Sequence, residues 1–160
     1  MTTFHMTSAS FENEGPIPPK HTCEGADSSP PLAWSNAPPG TKSFALIVDD
    51  PDAPDPRAPK MTWVHWVAYG IPPGVSALPE HAEAAQVGMH EGLNDWRATG
   101  YRGPCPPVGR HRYFHKLYAL DTILPDLGSP DKAMLEGAMR GHVLGQATLI
   151  GTYAKRAGHL

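Results

Sequence analysis

The sequence predicts a predominantly β fold, in which two layers of sheet carry one late α-helix and long irregular loops. The first observation is a series of short apolar runs with the alternation that is typical of strands. The second is the distribution of 19 prolines and 16 glycines, which fall between those runs instead of forming one tract. Glycine and proline in such places mark turns, so the chain is expected to reverse direction often and to build strands rather than long helices.

Length and charge limit the class of protein. A chain of 160 residues with 40% hydrophobic residues is expected to form one domain over residues 1–160. The net charge of -3, without a cluster of Lys and Arg, predicts no nucleic-acid partner. The N-terminus lacks a basic segment followed by an apolar run, and no stretch reaches the roughly eighteen apolar residues of a membrane span. We therefore expect a cytoplasmic protein without integral membrane association, whose Cys23 and Cys105 are reduced thiols.

The first third of the chain is expected to contain two strands separated by a long connection. Residues 4–11 alternate loosely and predict an early, peripheral strand. Residues 14–40 are rich in proline and too long for an ordinary loop, and we expect Leu32 and Trp34 to anchor them to the core. Residues 43–48 form a compact apolar strand.

Residues 61–71 predict another strand that is largely apolar on both faces, which places it in the middle of packed layers. Regular alternation divides its side chains into two sets, namely Trp63, His65, Val67 and Tyr69 on one face and Val64, Trp66 and Ala68 on the other. A short helix around residues 80–86 follows.

Residues 111–121 predict a further strand. One face is expected to hold the alternating set His111, Tyr113, His115, Leu117 and Ala119.

The late helix begins at Ser129-Pro130-Asp131, where Ser129 is expected to be the N-cap and Pro130 the first helical residue. About three helical turns are expected before Gly141, with an apolar stripe of Met134, Leu135, Ala138 and Met139. Residues 147–153 predict a closing strand.

The functional prediction begins with the turn between the predicted strands at residues 43–48 and 61–71, which is rich in acidic residues and proline. If the strands carrying His65 and His111 are neighbours, two imidazoles and one or two carboxylates meet at a pocket walled by Trp63, Pro106 and Pro107. Imidazolium N–H groups donate to phosphate oxygens, and a carboxylate beside them raises the histidine pKa. This arrangement predicts a site for a small anion.

Two other kinds of chemistry are less well supported. A metal site built from Asp50, Asp52, His65 and His111 is chemically allowable, but no HxH, HExxH or CxxC spacing supports it. Cys105 precedes His111 by six residues, yet a cysteine between prolines is more often structural, and there is no GxSxG motif. We assign no catalytic residue, no metal ligand and no cofactor.

Several motifs, in order and at matching spacing, resemble the phosphatidylethanolamine-binding protein family, specifically its bacterial, Raf-kinase-inhibitor-like branch. They are DPDAP at 50–54, WVHW at 63–66, GYRGPCPP at 100–107, HRYFHKLYALD at 111–121 and GHVLGQATLIGTY at 141–153. The segment from residue 17 to residue 50 is similar as well, so the resemblance spans nearly the whole chain.

The resemblance implies a β-sandwich with a Greek-key-like arrangement and a preformed pocket for phosphate or a phosphoryl head group. Carried across the matching motifs, the ligand-binding residues are Asp50, Asp52, Trp63, His65, Pro106, Pro107, His111 and Tyr113. It also implies a cis peptide at Ala53-Pro54. Three residues depart from the family pattern: Arg110 is a candidate phosphate donor at the rim, and Asp95 and Trp96 change what covers the site.

Two function classes follow. The leading hypothesis is a non-catalytic binding protein for a small anion or a phosphorylated ligand, regulatory through a protein partner and, by the resemblance, a homodimer. The alternative is a hydrolase of an ester or phosphoester, with His65 or His111 as general base. The binding hypothesis is favoured because no convincing nucleophile or metal site accompanies the histidines.

Overall fold

The computed structural model describes residues 3–156 and is built mainly from β-strands, as the sequence predicts. In chain order its elements are β1 (His5–Thr7), β2 (Gly15–Pro16), a 3-10 turn (Pro19–His21), β3 (Leu32–Ser35), β4 (Ser43–Ala53), β5 (Met61–Ile71), β6 (Ala77–Leu78), α1 (Ala84–Val87), β7 (His90–Glu91), β8 (His111–Leu120), α2 (Lys132–Met139) and β9 (Val143–Tyr153). No helix within residues 3–156 is long and apolar enough to cross a membrane.

The strands form two sheets, which confirms the predicted two-layer architecture. The larger sheet has the order β2-β9-β8-β4-β5-β7, and the smaller has the order β1-β3-β6. Strand β4 is central, because it pairs antiparallel with β5 on one side and with β8 on the other. Strand β2 is parallel to β9, and the other strand pairs of the described chain are antiparallel.

Both faces of the larger sheet are covered. One face packs against the smaller sheet, where the rings of Trp34 and Phe44 lie 5.4 Å apart. The other face packs against α2, whose Leu135 and Met139 join a buried cluster with Val67 of β5. The prediction that the strand at 61–71 is buried on both sides is confirmed, as is the anchoring of the irregular N-terminal segment by its buried Leu32 and Trp34.

Strand β4 is longer than predicted, since it continues from residue 48 to Ala53. The added residues pair with the start of β5, with Asp50 opposite Trp63 and Ala53 opposite Met61. Proline cannot donate to the ladder, and the register shifts between Asp50 and Ala53, around Pro51. The expected turn is therefore confined to residues 54–60. It begins with the Ala53-Pro54 peptide, which is cis, as the resemblance implies.

Helix α2 begins later than predicted. Its N-cap is Asp131, whose Oδ1 accepts a hydrogen bond of 2.8 Å from the Met134 N–H, and the prediction of Ser129 as the cap is wrong. Pro130 lies outside the helix because its carbonyl accepts from the N–H of Leu93. The helix spans about two turns rather than three, and Met134 of the predicted apolar stripe is 57% exposed. Helix α1 is also shorter than predicted, and β9 begins earlier, at Val143.

Cys23 and Cys105 form a disulfide, so the prediction of two reduced thiols is wrong. They are 82 residues apart in the chain, but their Cα atoms lie 5.4 Å apart. The surrounding segments are joined by hydrogen bonds, since Cys23 N–H donates to the Pro104 carbonyl and Gly103 N–H donates to Asp27 Oδ1. Pairing of this kind depends on distant segments meeting, which a two-cysteine count cannot reveal.

His115 lies in the core between the two sheets. Its Nδ1 lies 3.1 Å from the carbonyl of Tyr113 and 3.2 Å from that of Leu149. Burial lowers the pKa of His115 to about 4, and the two backbone hydrogen bonds oppose this shift only in part. The imidazole is therefore neutral in the folded protein at neutral pH.

Acidification is expected to destabilise the protein, and His115→Gln is expected to reduce the effect. Unfolded histidine, with a pKa near 6.5, binds a proton that the buried ring resists. The stabilising contribution is complete above pH 6.5 and is lost as the pH falls toward 4, by roughly 2 to 3 kcal/mol for this group. Urea unfolding at a series of pH values measures the slope of the unfolding free energy.

The matched control is His142→Gln, because His142 is exposed and bonds to Asp121 at the surface. Below pH 6.5 this variant should keep most of the wild-type dependence of the unfolding free energy on pH. A slope in His115→Gln that equals the wild-type slope would contradict the assignment, whatever the overall stability of the variant.

Removal of the disulfide by the double variant Cys23→Ser, Cys105→Ser is expected to lower the free energy of unfolding by roughly 2 to 5 kcal/mol, since the cross-link restricts the unfolded chain. Urea unfolding under non-reducing conditions measures the difference. The wild-type protein with reductant serves as the control and should approach the variant. Alkylation of both thiols in unfolded, unreduced protein would show that the bond is absent.

Candidate functional site

A cavity of about 260 Å³ opens where β4 ends and β5 and β8 begin. Of the predicted ligand-binding residues, its lining includes Asp50, Trp63, His65, Pro106, Pro107, His111 and Tyr113. The residues that were not predicted as ligand-binding are Ala53, Pro54, Met61, Trp96 and Cys105. The structure thus brings most of the predicted set together around one small space.

His65 and His111 line the same cavity, although their strands are not neighbours. Strand β4 lies between β5 and β8, so the condition that the two strands are neighbours is not met, yet both histidines reach the same cavity. The two histidines approach from opposite sides of β4, and Tyr113 lies near both. Its ring centroid is 5.2 Å from that of His65 and 6.4 Å from that of His111.

A β-bulge at His65 directs this side chain into the cavity. Val48 lies opposite Trp66 and Asp49 lies opposite Val64, so His65 is an extra residue in the ladder between β4 and β5. A bulge interrupts the alternation of side chains and re-aims them, which is why bulges are common beside functional sites.

Because of the bulge, the predicted division of the β5 side chains between two faces is wrong. Trp63 and His65 line the cavity, whereas Val67 and Tyr69, predicted to share their face, belong to the core cluster under α2. A regular period of two cannot produce this division. The extra residue at position 65 supplies the change of phase.

His111 is bonded to the protein through both ring nitrogens. Its Nδ1 lies 2.6 Å from Asp50 Oδ2, and its Nε2 lies 2.8 Å from the carbonyl of Val108. A carbonyl only accepts, so Nε2 carries a hydrogen, and the Nδ1 contact requires one more proton between imidazole and carboxyl. The pair is therefore neutral overall. Burial raises the pKa of Asp50, which favours retention of this proton, while the bonds from His111 and from the Asp52 N–H oppose the rise.

Asp52 was expected beside the histidines of the site, but its partner is Arg112. Its carboxylate forms a bidentate pair with the Arg112 guanidinium, at 2.9 Å from Nε and 2.8 Å from Nη2. The Arg112 backbone N–H donates to the same carboxylate. These hydrogen bonds lower the pKa of Asp52, so it is ionised and its charge is matched by arginine. Asp49 points to the opposite face of the sheet, where Lys116 and Lys132 bind it.

His65 is neutral, which corrects the prediction that a carboxylate raises its pKa. Burial lowers the pKa of His65 to about 4, and hydrogen bonding to backbone at Arg102 and Gly103 offsets this only in part. Its Nδ1 lies 2.7 Å from the Arg102 carbonyl. No hydrogen bond from residues 3–156 occupies its Nε2.

Trp96 forms an aromatic wall of the cavity and was not among the predicted ligand-binding residues. The sequence had marked it only as a departure from the family pattern that changes what covers the site. Its ring is edge-on to His65 at 5.0 Å and to Trp63 at 5.5 Å. The Arg102 guanidinium lies 5.6 Å from the Trp96 ring centroid. Arg110, another departure, is exposed and donates to the Thr152 hydroxyl, which gives it a partner outside the cavity lining.

The hydroxyl of Tyr113 is buried and has no hydrogen-bond partner among the described residues. Burial raises the pKa of Tyr113 far above its usual value, so this hydroxyl keeps its proton. An unpaired buried hydroxyl costs free energy, and here it lies in the lining of a cavity. A ligand oxygen in the cavity can supply the missing partner.

The sulfur of Cys105 is bonded to Cys23, so it is not the free thiol that nucleophilic catalysis requires. Within residues 3–156, no group of three or more His, Cys, Asp or Glu side chains is placed to hold a metal ion.

Comparison with known proteins confirms the family resemblance. The family model described as phosphatidylethanolamine-binding protein matches residues 7–154. A UPF0098 protein from Methanothermobacter thermautotrophicus is 47% identical over 155 residues, which cover 94% of this chain and 99% of that protein. A UPF0098 protein from Chlamydia trachomatis is 44% identical over 150 residues, which cover 94% of this chain and 98% of that one.

Solved structures agree in fold. A phosphatidylethanolamine-binding protein homologue from Chlamydia trachomatis superposes with a TM-score of 0.90 at 41% identity, over 98% of this chain and 100% of that one. YbcL of Escherichia coli superposes with a TM-score of 0.86 at 32% identity, over 97% and 100% of the two chains. From the matched family model, the identity to these relatives and the shared fold, we conclude that this chain belongs to the phosphatidylethanolamine-binding protein family.

Proposed function

We propose that the protein is a non-catalytic binding protein whose cavity takes a small anion, such as phosphate or the phosphoryl group of a larger ligand. The observation that carries the proposal is the buried Tyr113 hydroxyl, which lines the cavity with its proton available and without a partner in the described chain. A phosphoryl oxygen is a strong acceptor for such a donor.

The charge at the cavity supports an anionic ligand. An unpaired Asp50 carboxylate would repel an anion, but the proton shared with His111 makes the pair neutral. Asp52 is matched by Arg112. The two predicted acids therefore shape the site without giving the cavity a net negative charge.

The size and the walls of the cavity support a small ligand. Its volume of about 260 Å³ lies at or below the lower limit of drug-sized pockets, so it suits an ion or a head group. Three prolines, Pro54, Pro106 and Pro107, and two tryptophans line it. Proline fixes one backbone dihedral, which reduces the entropy lost when the wall is held around a ligand.

The alternative of ester hydrolysis keeps one supporting feature, the unprotonated Nε2 of His65, which a general base needs. Binding is preferred because Cys105, the cysteine in the cavity lining, is held in the disulfide and therefore cannot act as a nucleophile. Regulation through a protein partner and assembly as a homodimer belong to the same proposal, with the occupied cavity as the state that a partner recognises.

The disulfide bears on the location of the protein. Disulfides persist mainly in oxidising compartments, so the Cys23–Cys105 bond favours such a compartment over the cytoplasm expected from the sequence.

Tyr113→Phe is expected to weaken phosphate binding about tenfold, because it removes a single hydroxyl donor and leaves the ring in place. Isothermal titration calorimetry with inorganic phosphate near pH 7 measures the dissociation constant. Tyr118→Phe is the matched control, since Tyr118 lies on the same strand but packs against the cluster on the opposite face of the sheet. Its affinity should equal that of the wild type.

Equal loss in both variants, or no phosphate binding by the wild type, would count against the proposal. A panel of ester and phosphoester substrates tests the non-catalytic part. Turnover that disappears in His65→Ala would establish the hydrolase instead.

A further inference from the structure

We propose that the cavity selects anions that carry a proton on oxygen, such as hydrogen phosphate or a singly protonated phosphomonoester, because His65 Nε2 accepts a hydrogen bond from the ligand's own hydroxyl. Fully ionised anions and phosphodiesters, which have no such hydrogen, are disfavoured. This inference rests on the proposed function and specifies the ligand class of the same site.

The first step is the tautomer of His65. Its Nδ1 lies 2.7 Å from the carbonyl of Arg102, and a carbonyl has no hydrogen to give, so Nδ1 carries the hydrogen. The Arg102 N–H in turn donates to the His65 carbonyl at 3.1 Å, which ties the two backbones together. Trp96 and Tyr113 hold the ring edge-on, at 5.0 and 5.2 Å. The orientation of the imidazole is thus determined by contacts from two segments.

The second step is the charge of His65. A neutral imidazole with hydrogen on Nδ1 has a lone pair on Nε2. Burial keeps the ring neutral at physiological pH, since it lowers the pKa to about 4. Of the ionisable groups on the packed strands, Asp49 on β4 favours the charged ring and His115 on β8 disfavours it.

The other ionisable groups near the ring do not reverse this result. Asp50 and His111, which also line the cavity, share a proton in a direct hydrogen bond and are neutral as a pair. Tyr113 keeps its hydroxyl proton. The guanidinium of Arg102 lies over Trp96, and Asp95 accepts from the backbone N–H of Val64. His65 therefore presents an acceptor.

The third step is the ligand. A lone pair aimed at an oxygen of a fully ionised anion is repulsive, whereas an oxygen that bears hydrogen can donate to it. The Tyr113 hydroxyl donates to another oxygen of the same ligand. The cavity then offers one acceptor and one donor, and a group with both P–OH and P–O⁻ satisfies both. Sulfate near neutral pH and the diester phosphate of a phospholipid lack the P–OH equivalent.

The experiment compares four anions with the wild-type protein by calorimetry near pH 6: inorganic phosphate, methyl phosphate, dimethyl phosphate and sulfate. Phosphate and methyl phosphate are expected to bind at least tenfold more tightly than dimethyl phosphate and sulfate. The monoester and diester arms also separate a free phosphoryl group from a lipid head group as the source of the ligand.

A pH series provides a readout that needs no variant. A phosphomonoester loses its last proton with a pKa of about 6, so methyl phosphate affinity should fall nearly tenfold per pH unit above about pH 7. Inorganic phosphate keeps one proton until strongly alkaline pH, so its affinity should fall much less. Deprotonation of the Asp50–His111 pair weakens the binding of both ligands, so the test is the additional loss of affinity that methyl phosphate alone shows.

His65→Phe tests the acceptor directly, since it keeps an aromatic ring between Trp96 and Tyr113. The preference for phosphate over sulfate should shrink to about threefold or less. His142→Gln, a substitution at the surface, should keep the full preference. Binding of all four anions with equal affinity, tighter sulfate binding, or parallel pH profiles for the two phosphates would overturn the inference while leaving anion binding in place. Failure of all four to bind would overturn the proposed function itself.

Discussion

Every buried carboxylate at the end of β4 needs a partner, and this requirement organises the site. An ionised group left unpaired in the interior costs several kcal/mol, so the three acids cannot be buried independently of their surroundings. Their partners are Lys116 and Lys132 for Asp49, His111 for Asp50, and Arg112 for Asp52. All but one of these partners lie on β8, so the charges and the ladder hydrogen bonds hold the same two strands together. The remaining partner, Lys132, joins α2 to the outer face.

The cavity follows from this arrangement and has a mixed polar character. Asp50 is neutralised by the proton that it shares with His111. His111 is hydrogen-bonded to the protein through both ring nitrogens, whereas His65 presents a lone pair to the cavity. The Tyr113 hydroxyl supplies a donor. In our proposal, a site that offers one acceptor and one donor, and whose Asp50–His111 pair is neutral overall, recognises the protonation state of its ligand as well as its charge. This property distinguishes it from a simple positive pocket.

A second constraint comes from the segment that precedes β8. It contributes the Arg102 carbonyl, which determines the tautomer of His65, and the Pro106-Pro107 wall. Its position depends on contacts with the N-terminal irregular segment, through Asp27 and the disulfide from Cys23. The proline-rich N-terminal segment is therefore part of the support of the site, which gives a structural reason for its length.

The sequence by itself determined the fold class, the alternation of β8, the full extent of β5 and the group of residues around one cavity, because local periodicity, turn residues and ordered motifs carry that information. It did not determine the phase of β5, since the bulge at His65 arises from pairing with β4. It also missed the disulfide, the cap of α2 at Asp131 and the separation of Asp52 from the cavity. Each of these features depends on a partner distant in the chain or on a competing hydrogen bond. The protonation of His65 does so too, because it is determined by burial and by the Arg102 carbonyl. Only the tertiary structure brings such groups together, and dielectric environment and hydrogen-bond geometry exist only after it forms.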